Sequence, residues 1–512
     1  MAATNNGKQS GSFTWQSESK NMWALAWPIL VSGVCRFLMA ATDTAFVGHI
    51  DFGEEPAYKY LAAASLSQMC QLIVLAPPCA FSFAVNPLVA QALGAGNKRL
   101  AGMWFQLSLV FGLIANVIPI VLFFFIGDAL RLLKFEGTIA SLGQTFATHS
   151  VYWIVPNLWY QCMRFYFQAQ GMPRPAMVNN IIFVFVNFFL NWFFIRGLHV
   201  PHAGGTIPIF EGLGFVGAPI SLSVSRVLQP TVYAIYMFGI KRAHSETWPG
   251  WTSEFLAWGR IRAYLYQAVP NMGTFFFQSL VVQVKTLMIA QLGQVAIAAS
   301  SAVTNIQSVF AGGVGTCASQ VTAIRVGHHL GEGNGTGARK TSELVFYSIM
   351  TFVACVALIF TLAQQPLVAL MTSDKDVWDL GTSILPIVSL VMLGQMLAQA
   401  GNDGVLNAQS RTRLVALLSF GVEIPLSIGG TAFLIFYLCK NSSNALYFVT
   451  WGQAAINCAL AGIIGAVWGT SDWDKHAQQA ALRQEKEQPL LQSDSEARGA
   501  RQRREEQEEE EE

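Results

Sequence analysis

Apolar residues run along this chain in stretches of about twenty or more, separated by short polar segments in which Gly, Pro, Lys and Arg recur. A hydrocarbon layer about 30 Å thick takes roughly 20 apolar residues per helix. By that rule the runs predict spans at 22–47, 61–85, 101–127, 141–166, 176–196 and 213–239, then at 265–290, 295–323, 342–364, 380–402, 413–438 and 446–468. That makes twelve, with polar residues interrupting the first, eighth and tenth.

Loop charge sets the orientation, because basic residues in short loops stay cytoplasmic. One alternating set of loops carries twelve Lys and Arg, among them Lys98, Arg99, Arg174, Lys241, Arg325 and Arg339, and the opposite set carries six. Both termini are therefore expected in the cytoplasm. Asn441-Ser442-Ser443 is a glycosylation sequon on the predicted outer side. The first twenty residues hold no apolar stretch suited to a cleaved signal, and Glu18 argues against a mitochondrial presequence, so insertion is expected to rely on the first span.

Composition strengthens the membrane reading. Of the 512 residues 53% are hydrophobic and 12% charged, with mean hydropathy +0.41, against about 25% charged in soluble proteins. From Asp472 onward 13 acids and 7 bases gather, leaving the body greasier than the average suggests. Nucleic-acid readers, disulfide-stapled secreted domains and most soluble enzymes are excluded, and no nucleic-acid partner is expected. The eight cysteines form no CxxC pair and mostly fall in apolar runs, implying neither a metal nor a redox compartment. Residues 471–512 end in a run of five glutamates and lack the apolar content to order themselves, so a disordered acidic tail is predicted. Within it Glu487-Gln488-Pro489-Leu490-Leu491 resembles an acidic dileucine sorting signal, with Lys486 where an acid is usual.

The chain also repeats itself. Val89-Ala90-Gln91-Ala92-Leu93-Gly94-Ala95-Gly96-Asn97 and Val326-Gly327-His328-His329-Leu330-Gly331-Glu332-Gly333-Asn334 lie 237 positions apart, and Pro28 and Pro270 lie 242 apart. Six helices make one period. Both copies fall on the same side of the membrane, which predicts parallel repeats about an axis along the membrane normal and a substrate cavity between them. The expected layout is an N-terminal segment 1–21, a first lobe 22–239, a linker 240–264 and a second lobe 265–470.

Five pieces in order resemble the multidrug and toxic compound extrusion (MATE) transporters: Asp43-Thr44-Ala45-Phe46-Val47-Gly48-His49, the Asn86-Pro87-Leu88-Val89 to Asn97 stretch, Gly171-Met172-Pro173-Arg174-Pro175, Asn187-Phe188-Phe189-Leu190-Asn191, and Arg325 to Glu332. The resemblance spans roughly residues 20 to 470. It implies an all-α polytopic fold of two six-helix lobes in a V, and substrate export driven by proton or sodium entry. Asp43 matches the carboxylate on which such members depend for ion coupling, and Asn187 and Asn191 match its polar partners.

The residue types support that role on their own terms. Acids inside the hydrocarbon are rare and usually functional, and only Asp43, Glu423 and Asp403 qualify here. Burial disfavours a charged carboxyl, and amides can hydrogen-bond either of its forms. Asn187 and Asn191, spaced i and i+4, share a helix face. The competing reading is that Asp43 caps a helix end near the outer membrane edge.

In the second half the chain departs from the family pattern. The resemblance places glutamates where this chain has Gln278 and Gln283, and a tenth-span acid near Met396, so ionisable groups are missing there. Coupling is therefore assigned to the first lobe. Glu423, two residues before Pro425 and placed like Asn187 under the 237-residue offset, is either a substitute second site or a group bonded to backbone freed at a proline kink.

Arg36, Arg226 and Lys285 lie inside predicted spans, and Arg164 near a span end is expected to snorkel to the interface. Arg36 stands seven residues, about two turns, before Asp43. Either it pairs with an acid such as Asp43, holding that acid ionised and opposing proton coupling, or the cavity carries excess positive charge and favours an anionic substrate such as a di- or tricarboxylate. The substrate is expected to be a small organic compound, anionic or neutral rather than cationic, with Arg36, Arg226, Gln278, Gln283 and Lys285 lining its cavity. Aromatics including Tyr160, Tyr166 and Phe275 are read as packing side chains rather than a stacking site.

The resulting expectation is a monomeric, non-enzymatic antiporter without cofactor or metal, in the plasma membrane or a vacuolar or other endomembrane. It exports in exchange for protons through Asp43, Asn187, Asn191 and Glu423, with Pro28 and Pro119 as bending points. The alternatives are a sodium-coupled multidrug cation exporter and a lipid-linked flippase of the wider superfamily. A channel or an intramembrane enzyme is disfavoured, since no HExxH, paired membrane aspartates or Ser/His dyad stands at usable spacing.

Overall fold

The structure, a computed structural model, describes residues 14–50, 55–202, 205–251, 253–371, 374–439 and 444–483. Lipid offers the backbone no hydrogen-bond partner, so each apolar run closes its bonds within itself as a helix. Twelve long helical runs result among the described residues. In the first lobe they are α1 Trp15–Gly48, α2 Ala57–Gly94, α3 Lys98–Phe123, α4 Gly137–Ser150 continuing through a tight turn into Ile154–Ala169, α5 Arg174–Arg196 and α6 Gly217–Ala234 with a further turn Ile235–Ile240. In the second they are α7 Trp258–Ala290, α8 Gln294–Gly331, α9 Gly335–Leu362, α10 Lys375–Leu406, α11 Thr412–Leu438 and α12 Ala445–Gly469.

Nine of these helices are long and apolar enough to cross a membrane, and α8, bent by 45° between Val295–Ser308 and Phe310–Gly331, makes a tenth. The other two, α4 and α6, carry too many polar residues. Those residues point into the lobe: Ser150, Ser221, Ser223, Ser225 and Gln229 are all buried. A helix that turns its polar stripe towards protein needs less apolar surface than one wrapped by lipid.

The 237-residue repeat is visible in three dimensions. Asn97 Oδ1 accepts the Leu100 N–H at 3.0 Å and caps α3; Asn334 Oδ1 accepts the Gly337 N–H at 2.7 Å and caps α9. Gly96 and Gly333, one residue before each cap, have φ of +79° and +77°, open to glycine at no steric cost. The ends of α2 and α8 then cross so closely that a Cβ on Gly94 would lie 2.1 Å from the His328 carbonyl oxygen, and one on Gly331 would lie 2.2 Å from the Gln91 carbonyl oxygen. Each contact maps onto the other under the repeat. The two lobes meet here, with α1 and α2 against α8 and α2 against α7.

Side chains reinforce this seam at the face that carries the two repeat loops. Arg325 on α8 grips Glu18 on α1 with a fork of bonds, Nε to Oε1 at 2.8 Å and Nη2 to Oε2 at 2.5 Å, and Thr341 Oγ1 donates to the same Oε1 at 3.2 Å. Glu18 is only 3% exposed. Gln91 Nε2 donates to the Ala408 carbonyl at 2.5 Å, and Gln267 Nε2 to the Asn407 carbonyl at 2.9 Å.

The fold is helical, as expected, and among the described residues the connection between α5 and α6 carries one small hairpin in which β1 Leu198–His202 and β2 Gly205–Phe210 pair antiparallel. One expectation needs correction. Disorder was predicted from residue 471, yet 473–483 form a helix. Trp473, Ala477 and Ala480 recur at i, i+4 and i+7, one apolar stripe, and pack on Val326, Leu330, Ala338, Val405 and Ala408. Low average hydrophobicity hid that spacing. The sequon at 441–443 and the dileucine-like 487–491 lie outside the described residues.

Candidate functional site

Asp43 stands five residues before the end of α1, where α1 packs on α5. Phe46 meets Phe188 of α5 edge-on, ring centroids 5.3 Å apart, in the register of the two helices. In that register one carboxylate oxygen of Asp43 receives two amides: Asn187 Nδ2 donates to Oδ1 at 2.9 Å and Asn191 Nδ2 at 2.7 Å. Asn191 Nδ2 also donates to the Asn187 carbonyl at 3.0 Å. Both asparagines are buried, and Asp43 is half-buried. Among the described residues Asn187 Oδ1 and Asn191 Oδ1 are buried without a partner.

That arrangement suits two states of one acid. The ionised carboxylate accepts both amide protons. Once protonated it becomes a donor, and either asparagine can answer by turning its amide so that its vacant oxygen replaces the nitrogen. The helix-cap reading of Asp43 fails, because its partners are the side chains of another helix.

Arg36 does not form an ion pair with Asp43: among the described residues no carboxylate oxygen lies within 4.0 Å of Arg36 or Arg226. The cation whose field reaches Asp43 is Arg226 on α6. Arg164 is the clear departure from expectation. Rather than reaching the interface it is 1% exposed, its guanidinium 4.5 Å from the centroid of the Phe165 ring.

In the second lobe, Glu423 lies in a widened helical turn, Ser419–Glu423, ahead of Pro425. Among the described residues no backbone N–H bonds its carboxylate. Ser419 Oγ donates to its Oε2 at 2.9 Å, and Gln278 Nε2 approaches its two oxygens at 3.3 and 3.4 Å. Glu423, Gln278 and Lys285 line a cavity of about 370 Å³ together with Asp403, Gln399 and Asn402. Gln283, half-buried on α7, does not line it. The predicted residues thus fall into two groups, Asp43, Asn187 and Asn191 with the arginines in the first lobe, and Glu423, Gln278 and Lys285 in the second.

Sequence reasoning missed the polar lattice beside the first group. Tyr160 Oη donates to Asn180 Oδ1 at 2.6 Å, Gln229 Nε2 donates to the same oxygen at 2.8 Å, and Asn179 Nδ2 reaches the Gln229 carbonyl at 3.2 Å. A signal was present: Asn180, Asn187 and Asn191 recur at i, i+7 and i+11, one face of α5.

With this geometry the relationship to known proteins is decisive. The MatE family model matches residues 28–193 and 270–428, one segment in each lobe. The chain belongs to the MatE family. Over 474 residues it is 24% identical to Protein DETOXIFICATION 52 of Arabidopsis thaliana, covering 90% of this chain and 86% of that protein. It is also 24% identical over 419 residues to Multidrug and toxin extrusion protein 1 of Homo sapiens, covering 81% of this chain and 69% of that one. The crystal structure of the eukaryotic MATE transporter AtDTX14 superposes with a TM-score of 0.78 at 19% identity, over 92% of this chain and 99% of that one. This MatE protein is therefore a multi-pass membrane transporter of the multidrug and toxin extrusion family, and the family's V-shaped two-lobe architecture is its own.

Proposed function

We propose that this MatE transporter exports small organic compounds in exchange for protons, with Asp43 as the proton-carrying group. The observation that carries this reading is the paired donation of Asn187 and Asn191 to one oxygen of a half-buried acid, with two empty amide acceptors beside it. Ionised Asp43 ties the outer part of α1 to α5. Protonation reverses the direction of one bond, so the contact must re-form in a different geometry, and α1 transmits the change towards Pro28 inside the same helix.

The repeat-loop face is the cytoplasmic one in this reading, and its closed seam represents the state open to the far side. The protein works as a monomer in the plasma membrane or an endomembrane. A sodium ion is the second reading, since hard cations take oxygen ligands and a turn of the two amides would bring Asn187 Oδ1 and Asn191 Oδ1 to the carboxylate in place of their nitrogens.

The test is flux through reconstituted vesicles under imposed pH and sodium gradients, with a cationic dye and a carboxylate side by side. Wild type should respond to the pH gradient and not to sodium, and Asp43→Asn should lose the response. An Asp43→Asn protein that still transports on a pH gradient removes the proposal; a response to sodium alone moves it to the second reading.

A further inference from the structure

We infer that Ser245, in the linker after the first lobe, is a phosphorylation site for an arginine-directed serine kinase, and that its phosphate seats in a basic pocket walled by both lobes. The inference rests on the repeat-loop face being cytoplasmic, the side that holds ATP, and adds regulation to that reading.

Sequence and burial together select this serine. Kinases of this class read an arginine three residues ahead of the hydroxyl, and that spacing occurs twice in the chain, Arg242 before Ser245 and Arg339 before Ser342. One of the two is within reach. Ser342 is fully buried on α9, its Oγ donating to the Arg339 carbonyl at 2.7 Å and accepting from Trp468 Nε1 at 2.8 Å. Ser245 is exposed, as are Lys241 and Arg242 ahead of it. Its N–H donates to the Arg242 carbonyl at 3.1 Å, closing a turn in which Arg242 takes a φ of +49°.

The turn stands on a firm base. Thr247, two residues on, is buried with its hydroxyl 2.5 Å from Tyr166 Oη of α4, and its carbonyl oxygen packs so close to α3 that a Cβ on Gly102 would lie 2.0 Å away. A cavity of about 570 Å³ opens beside it, and Ser245 lines it. Its charged walls are Lys98 of α3, Lys241, Arg242 and Glu246 of the linker, and Arg325 of α8. Four cations against one acid leave the pocket at +3 with His328 neutral, or at +2 when Glu18, the partner of Arg325, is counted. Lys98 is bonded to Glu246, whereas Lys241 Nζ meets Met172 Sδ at 3.6 Å. Among the described residues neither Lys241 nor Arg242 has a carboxylate within 4.0 Å.

A phosphoserine supplies what this pocket lacks. At neutral pH it carries a charge of about −1.5 to −2 and three strong acceptor oxygens. In the transfer Ser245 Oγ attacks the γ-phosphorus of ATP: the Oγ–P bond forms, the bond from that phosphorus to the ADP oxygen breaks, and the hydroxyl proton passes to the kinase. The phosphate then draws Lys98 from Glu246, takes up Lys241, and reaches Arg325 through Nη1, since Glu18 occupies Nε and Nη2. Lys98 and Lys241 belong to the first-lobe side and Arg325 to the second, so the bridge holds the repeat-loop face closed.

The experiment incubates the purified full chain with ATP and the catalytic subunit of cAMP-dependent protein kinase. It follows phosphopeptides, acylation of Lys241, and maleimide alkylation of Cys317, a buried thiol of α8 lying 3.2 Å from the Ala26 carbonyl of α1 in the seam. Ser245 should be modified about tenfold faster than Ser342 or more, since Ser342 is reached through local unfolding, and Arg242→Gln should abolish the modification. The phosphate should slow acylation of Lys241 and alkylation of Cys317 by about tenfold each, the scale of one charge-assisted bond. Lys98→Gln should be phosphorylated as readily and show a smaller effect at Cys317, and Ser245→Ala should behave as the unmodified chain throughout. An unmodified Ser245, modification of Ser342 at the same rate, or either rate within about twofold of the unmodified chain, no reaction in both forms included, overturns the inference. The two proposals fail separately. Asp43→Asn should be phosphorylated and slowed like wild type, and the purified chain presents both faces to the kinase, so a reversed topology leaves these rates unchanged and shows instead as a linker open to protease outside intact cells.

Discussion

The crossing of α2 and α8 gives a quantitative handle on how the lobes move. Gly94 and Gly331 have no room for a methyl group: the added carbon would sit 2.1 or 2.2 Å from a carbonyl oxygen, with further backbone atoms of the facing helix within 3.1 Å. Backbone cannot swing aside as a flexible side chain can. Gly331→Ala therefore forces the helices apart by roughly 1 Å, and overpacking of this kind costs about 1–3 kcal/mol. The cost falls on the state in which this face is closed. If the lobes part here during transport, the substitution shifts the equilibrium towards the opened face by about 5–150-fold. Cys317 reports the shift, since it is 5% exposed with its thiol 3.2 Å from the Ala26 carbonyl of α1 in the same seam. Alkylation by a water-soluble maleimide, followed by peptide mass spectrometry, separates Cys317 from the exposed Cys355 and Cys458. Gly331→Ala and Gly94→Ala should both accelerate modification of Cys317, and Gly462→Ala on α12, whose new methyl meets nothing within 4 Å, should not. Wild-type rates at Cys317 in both seam variants, with melting temperatures intact, would refute the idea that this crossing opens.

Other substitutions probe the same construction. Glu18→Gln leaves Arg325 without its anion, and should speed Cys317 alkylation and lower the melting temperature; the cost stays below the about 3–5 kcal/mol of a fully buried pair, because the Arg325 side chain keeps 17% exposure. Asn97→Ala and Asn334→Ala should each cost about 1 kcal/mol as lost helix caps, and near-equal drops in melting temperature would express the shared geometry of the two repeat loops. Trp473→Ala removes the large anchor of the 473–483 helix; faster tryptic cleavage at Lys475 and Arg483 is the expected readout, and an unchanged rate would mean that the stripe does not hold the helix down.

Much of this transporter is legible in its sequence alone, for a physical reason. A bilayer imposes a length and an apolarity on every helix that crosses it, so runs of hydrophobic residues mark spans even where their ends blur. The repeat was legible because a pseudo-twofold seam needs the same small residues twice, at Gly94 and Gly331. Asp43 with Asn187 and Asn191 stood out because polar side chains in apolar runs are costly and two of them share a helix face. What the sequence could not hold was depth measured inside a lobe. Arg164 sits near the end of its run, where a long side chain would reach water, yet the packing of α4 buries it completely. Arg36 and Asp43 share a helix face, but the cation that acts on the acid belongs to α6, and only tertiary packing selects it. Glu18 reads as part of a polar leader; its partner Arg325 is 307 residues away, and no local spacing announces such a pair. Local order follows from the solvent each segment must satisfy, whereas the balance of charge in the first lobe arises only when helices distant in sequence are brought side by side.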